Sequence, residues 1–349
     1  MKILVLQDWL RSGGTERQSV LLTRSFRAAG HETELITFRP GGRLAESAAD
    51  LRPRSLQPFD FRWDWFAPGL MRAVREAQPN ILLAMGRMAN CHLRRAAKAL
   101  PRGAKAVATF RTGKSLPYLF RRSLHAADAV VANSQEAAAN LAQLYAVPAA
   151  KVTAIYNGLV FPETPAAATR PDTKIFLCVA MFRREKNQAG LIRLMGGLAG
   201  TSGWELWLAG DGPCRPECER LAARLGLGER VKFLGFQRDP TALYAAADAA
   251  VHASTSEALS NFLIEAQAHG LPAIACQAQG VGECFIPDET GWIVPPGDPA
   301  AFAAAARRVL ELTGAERAAL RRRASAFARE RFDPARQTQA YLDLFARLA

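Results

Sequence analysis

The densest run of chemically useful side chains in this sequence is Ser256-Glu257-Ala258-Leu259-Ser260-Asn261-Phe262-Leu263-Ile264-Glu265-Ala266, followed by His269-Gly270-Leu271-Pro272. Ser260 or Asn261 makes a good N-cap, so the spacing predicts a helix over 262–268, with Glu257 on the loop before it and Glu265 one turn in. A helix N-terminus presents unpaired N–H donors to an anion. The expected chemistry is a leaving phosphate held around Leu259, Ser260 and Asn261, with Glu257 accepting from a sugar hydroxyl and Glu265 from a ribose.

Three more loops carry residues of the same kind. Val179-Ala180-Met181-Phe182-Arg183-Arg184-Glu185-Lys186-Asn187 places Arg183 and Lys186 just past the end of a strand. Cations there suit a diphosphate, Arg through a two-pronged contact and Lys as a point charge. Gly210-Asp211-Gly212-Pro213 and Phe233-Leu234-Gly235-Phe236 each end a strand on one edge of a sheet. They read as walls of a nucleotide pocket, with Gly212 and Phe236 facing the donor, or as plain turns. Near the start, Ser12-Gly13-Gly14-Thr15-Glu16-Arg17 joins a strand to a helix, and paired glycines let the backbone approach a bound group.

The elements that must hold these loops alternate between strand-length apolar runs and amphipathic helical stretches, the pattern of parallel sheets with crossover helices. Strands are expected at 3–7, 34–38, 81–85, 106–110, 129–132 and 152–156, with a helix over 15–29. Periodicity lapses over 157–172, where Gly158, Pro162, Pro165 and Pro171 predict a linker. It resumes with strands at 175–179, 206–209, 231–234, 249–252 and 273–276, then helices at 300–311, 316–330 and 337–348. Two doubly wound α/β domains follow, 1–157 and 158–334, with ligands expected in a central cleft at the carboxyl ends of the two sheets.

Composition narrows the class. No window approaches the roughly 18 apolar residues of a membrane span, and the opening run is too short for a signal-peptide core, so a soluble protein, peripheral at most, is expected, and the unpaired cysteines point to the cytoplasm. The six cysteines show no CxxC pairing, which predicts neither zinc nor disulfides. Of the net charge of +13, nearly all lies between Arg52 and Arg122, where 15 Lys and Arg stand against Asp60, Asp64 and Glu76. Residues 126–349 balance at 23 against 23.

Taken together, Gly13-Gly14 with Glu16-Arg17, the Arg183 to Asn187 loop, Gly210-Asp211-Gly212-Pro213, the pair Glu257 and Glu265, and Gly280 to Glu283 resemble, in order and spacing, the GT-B glycosyltransferases of family 4. The likeness spans essentially the whole chain. It implies retention of anomeric configuration, with the nucleotide sugar held by the second domain and the acceptor by the first, and a last helix, about 335–349, packed back on the first domain. Residue by residue, it implies Arg183 and Lys186 on the diphosphate, Glu257 on the donor sugar and Glu265 on the ribose. Gly13 and Gly14 would approach the donor, and Arg17 and Arg111 would lie on the acceptor side. It implies no cofactor and no metal, and the sequence has no Asp-x-Asp pair. Met181 stands where many members have Arg, and Arg111 where many have His.

The donor expected is a UDP-sugar or GDP-mannose and the acceptor a lipid-linked glycan. The basic stretch is interleaved with aromatics, in Phe59-Asp60-Phe61-Arg62-Trp63-Asp64-Trp65-Phe66 and Pro117-Tyr118-Leu119-Phe120-Arg121-Arg122. That combination predicts docking on the anionic inner leaflet of the plasma membrane. Competing readings are a sugar-nucleotide epimerase or phosphorylase and a non-catalytic nucleotide-sugar-binding subunit. Nucleic acid is not expected as a partner, since no helix-turn-helix, RRM or zinc pattern accompanies the basic stretch.

Overall fold

The computed structural model describes residues 1–161 and 173–349. The part of the expected linker at 162–172 lies outside the described residues. In chain order the elements are β1 (Lys2–Gln7), α1 (Gly14–Ala28), β2 (Glu32–Thr37), β3 (Arg54–Ser55), α2 (Leu70–Ala77), β4 (Ile81–Ala84), α3 (Arg87–Ala96), β5 (Lys105–Phe110), α4 (Tyr118–Ala126), β6 (Ala129–Ala132), α5 (Gln135–Tyr145) and β7 (Val152–Ala154). Then follow β8 (Lys174–Val179), α6 (Gln188–Gly196), β9 (Trp204–Ala209), α7 (Arg215–Arg224), β10 (Val231–Gly235), α8 (Thr241–Ala246), β11 (Ala249–His252), α9 (Asn261–Ala268), β12 (Ala273–Cys276), β13 (Gly291–Val294), α10 (Pro299–Glu311), α11 (Gly314–Arg331) and α12 (Pro334–Leu348).

The chain divides into two compact units, Met1–Gly158 with Asp333–Ala349, and Leu159–Phe332. Among the described residues the first holds a sheet in the order β3-β2-β1-β4-β5-β6-β7, the second one in the order β10-β9-β8-β11-β12-β13. Among the described residues neighbouring strands all pair parallel. Each sheet starts in its middle, winds outward and then reverses, so the order switches between β1 and β4 in one and between β8 and β11 in the other, the places where ligands of such folds bind. Two strands, β3 and β13, were not among those expected. The first has only two residues, and the second is an edge strand that opens on Gly291 after a turn through Asp288, its apolar run Trp292-Ile293-Val294 closed at once by Pro295.

Strand residues alternate between two cores in the first unit. Leu4 and Leu6 face α2 to α5 with Leu70, Val74, Leu93, Phe120 and Leu141. Ile3 and Val5 face α1 and α12 with Leu22, Phe26, Tyr341 and Phe345. The last helix thus belongs to the first unit, its Tyr341 and Phe345 rings packed on Phe26 at 6.1 and 5.7 Å. A buried chain of amides reinforces this, Gln337 Nε2 donating to Gln18 Oε1 at 2.7 Å and Gln18 Nε2 to Gly158 O at 2.6 Å. The three C-terminal helices start earlier than expected because Asp298, Thr313 and Asp333 cap them, two with Pro in the first turn.

Candidate active site

In the second unit the loops beyond the carboxyl ends of the strands are tied together by main-chain bonds that side chains would obstruct. Gly210 N donates to Gly235 O at 2.7 Å and Phe182 N to Asp211 O at 3.0 Å. A Cβ on Gly210 would lie 2.0 Å from Ala180 O, and one on Gly212 2.5 Å from Phe182 O, and both glycines have positive φ. Across the switch point, Thr255 N and Ser254 Oγ donate to Glu185 O at 2.9 and 2.7 Å, and Asn187 Nδ2 to Ala253 O at 3.1 Å. Gly280 (φ +69) closes the far side, where a Cβ would meet Ala258 O at 2.0 Å.

This frame brings Lys186 and Glu257 together, with Nζ 2.5 Å from Oε1. His252, the last residue of β11, puts Nε2 3.0 Å from the same oxygen. Burial by itself would raise the Glu257 carboxyl, but the His252 hydrogen bond and the Lys186 charge outweigh it and bring the pKa down to about 2. Arg183 lies on the same loop as Lys186 and is exposed. Met181 beside it is exposed as well.

Helix α9 begins at Asn261, one residue before the expected 262, because Ser260 serves as N-cap with Oγ accepting from Leu263 N at 3.5 Å. Leu259 is buried in the turn before the helix. Glu265 lies in the helix with Oε2 2.7 Å from the Tyr244 hydroxyl of α8, and Phe236 is exposed beyond β10. Sequence reasoning passed over His252 and Tyr244. His252 was detectable as a polar residue closing an apolar strand five positions before Glu257, whereas Tyr244 carries no signal in its neighbourhood.

In the first unit Gly13 is the N-cap of α1, where a Cβ would meet the Glu16 carboxylate at 2.5 Å. Glu16 itself takes Arg11 Nε at 3.2 Å. Gly14 and Arg17 are exposed on the first turn. Arg111, just beyond β5, donates to Asn157 Oδ1, and its Nε and Nη1 have no hydrogen-bond partner among the described residues. Asp8 ends the loop side of β1 fully buried, accepting from Met88 N and Ala89 N at 3.0 and 2.7 Å, and desolvation lifts its pKa to about 6. All six cysteines are free thiols, and the described residues hold no group of three or more His, Cys, Asp and Glu able to bind a metal.

Residues 12–160 match the family described as Glycosyltransferase Family 4, and residues 161–331 the one described as Glycosyl transferases group 1. The chain is similar to the lipopolysaccharide core biosynthesis glycosyltransferase LpsD of Rhizobium meliloti, with 31% identity over 96% of this chain and 95% of that one. LpsE of the same organism is 28% identical over 86% of each chain. Among solved structures, Anabaena HepE in complex with UDP-glucose superposes with a TM-score of 0.82 over 99% of this chain and 100% of that one, at 23% identity. At that identity the shared property is the fold.

Proposed function

This chain belongs to the GT-B glycosyltransferases of family 4 and group 1, and from that premise we propose that it is a retaining enzyme carrying a sugar from a nucleotide-diphosphate donor to a lipid-linked glycan. The observation that carries the reading is the Lys186, Glu257 and His252 centre at the switch point of the second sheet, with the Arg183 guanidinium on the same loop. As the bond from the anomeric carbon to the β-phosphate oxygen breaks, positive charge grows on the sugar and negative charge on the phosphate. Arg183, Lys186 and the main-chain donors at the start of α9 receive that negative charge. These groups do what a divalent cation does in other transferases, so the proposed reaction is metal-independent.

Glu257, kept ionised, accepts from a hydroxyl of the donor sugar, and Glu265, oriented by Tyr244, accepts from the ribose. In the proposed step the acceptor hydroxyl attacks from the face the phosphate leaves, passing its proton to the departing β-phosphate oxygen, and configuration is retained. HepE was crystallised with UDP-glucose, which supports a UDP-sugar as donor, with GDP-mannose the alternative. The names of LpsD and LpsE support a cell-surface glycan as acceptor.

The lipid-linked part of the reading rests on the first unit. Its helices α2 to α4 lie on one side of the sheet and carry Arg72, Arg75, Arg94, Arg95, Arg121 and Arg122. The 59–66 loop joins that side through His92 Nε2 bonded to Trp65 O at 2.8 Å. Gln57 and Arg39 brace it, Gln57 donating to Trp63 O and Phe66 O, Arg39 to Asp60 and Asp64. Trp63 and Trp65 nonetheless stay 53% and 58% exposed, stacked at 11°. Rigid half-exposed indoles among arginines suit the headgroup boundary of an anionic inner leaflet. No helix among the described residues is long and apolar enough to cross a membrane. A thermal-shift panel of UDP, GDP, ADP and their sugars tests the donor half, because a ligand at 100 times its Kd adds about 2.7 kcal/mol to apparent stability. A panel with no stabilising nucleotide would overturn it.

A further inference from the structure

Glu257 Oε1 has two partners of unlike character. Lys186, 2.5 Å away, has a side chain 29% exposed on a loop, while His252, 3.0 Å away, has one 3% exposed at the end of a central strand. Carboxylates only accept, so His252 Nε2 carries the proton and donates. The ring is fixed by its strand and by Phe262 at 6.3 Å, and its Nδ1 has no partner among the described residues. Cys178 and Cys284 also border Glu257, but burial raises both thiols, Cys178 to about 12, so neither adds a charge. Lys186 thus has two claims on it in the proposed reaction, the buried carboxylate before the donor arrives and the diphosphate afterwards.

We propose that His252 is the positioning residue that permits this hand-over: it keeps Glu257 hydrogen-bonded and in place while Lys186 swings from Oε1 to the diphosphate. The inference rests on the nucleotide-binding reading above. Without His252, moving Lys186 would strand a buried carboxylate with no partner, which is strongly unfavourable. Lys186 would then stay on Glu257 and the nucleotide would lose a cation. The ion pair would be locked closed rather than weakened.

The test is a binding cycle read by calorimetry, using whichever of UDP and GDP the wild type binds. His252→Leu should weaken that nucleotide about tenfold, and His252→Gln, whose amide reaches the Nε2 position, by no more than about threefold. Adding Glu257→Gln to His252→Leu removes the charge that holds Lys186, so the double variant should bind within about threefold of wild type. A double variant as weak as His252→Leu would show that His252 acts through packing on α9, and unchanged affinity in His252→Leu would also overturn the proposal. If His252→Leu does not fold, His252→Asn, whose amide is too short to reach Oε1, answers the same question. A wild type that binds neither nucleotide would instead overturn the site reading itself, and the hand-over with it.

Discussion

A carboxylate as buried as Glu257 stays ionised because two donors share one of its oxygens. Glu257→Ala should abolish transfer and leave the melting profile of a folded protein, since Lys186 regains water and His252 loses only one bond. Full turnover in that variant would remove Glu257 from the mechanism. Glu265→Ala, which cuts the link to Tyr244 and to the ribose, should weaken nucleotide binding by roughly 1 to 3 kcal/mol, the scale of hydrogen bonds to a charged group. Asp8 behaves in the opposite way to Glu257. Its pKa rises on folding from 3.8 to about 6, so between those values the native state binds more protons than the unfolded chain, and stability falls as pH rises through that window. Lowering pH from 7.5 to 5 should therefore add about 1 kcal/mol through this group. Asp8→Asn should flatten the slope in denaturant titrations, and an equal slope in both proteins would show that Asp8 is not the cause.

The loops matter as elements because they are stitched by main chain, and their glycines hold the stitching open. Gly280→Ala would set a Cβ against Ala258 O, on a residue at φ +69, and should cost about 1 to 3 kcal/mol of stability while weakening nucleotide binding. Thermal melts and calorimetry check both, and a neutral substitution would contradict the packing described. Such loops were legible in the sequence where a residue type signals its own geometry. Gly210 and Gly212 marked a turn, Ser260 a cap, and strand-length apolar runs gave away most strands. Contacts made by distant elements carried no such signal. Tyr244 reaches Glu265 from a helix 21 residues earlier, and β3 is a strand only because Arg54 and Ser55 lie beside Ile36 and Thr37. The bond from His252 to Glu257 likewise depends on the loop after β11 folding back under Lys186, which spacing does not specify.

At the scale of the molecule, the charge that gathers between Arg52 and Arg122 falls in the first unit, and much of it lies on α2 to α4, the side that the loop with the exposed indoles joins. Each basic residue near an anionic surface contributes about 1 kcal/mol, so binding to anionic vesicles should be strong at low salt and weak at high salt. Reversing Arg62, Arg121 and Arg122 to Glu should reduce co-sedimentation with anionic vesicles. Equal failure to bind anionic and neutral vesicles at low salt would make a soluble glycan the preferred acceptor. Activity should also survive EDTA, whereas loss on chelation with recovery on Mg²⁺ or Mn²⁺ would reveal a metal site. The Arg183, Lys186 and Glu257 centre is proposed to act on a nucleotide-diphosphate sugar. Its most direct test is nucleotide release from a panel of UDP- and GDP-sugars, followed in EDTA for the wild type and for Arg183→Ala, Lys186→Ala and Glu257→Ala. The wild type should release nucleotide from at least one donor and Glu257→Ala from none, with the two cation variants impaired in KM or kcat. Release by all four proteins at the same rate would contradict it.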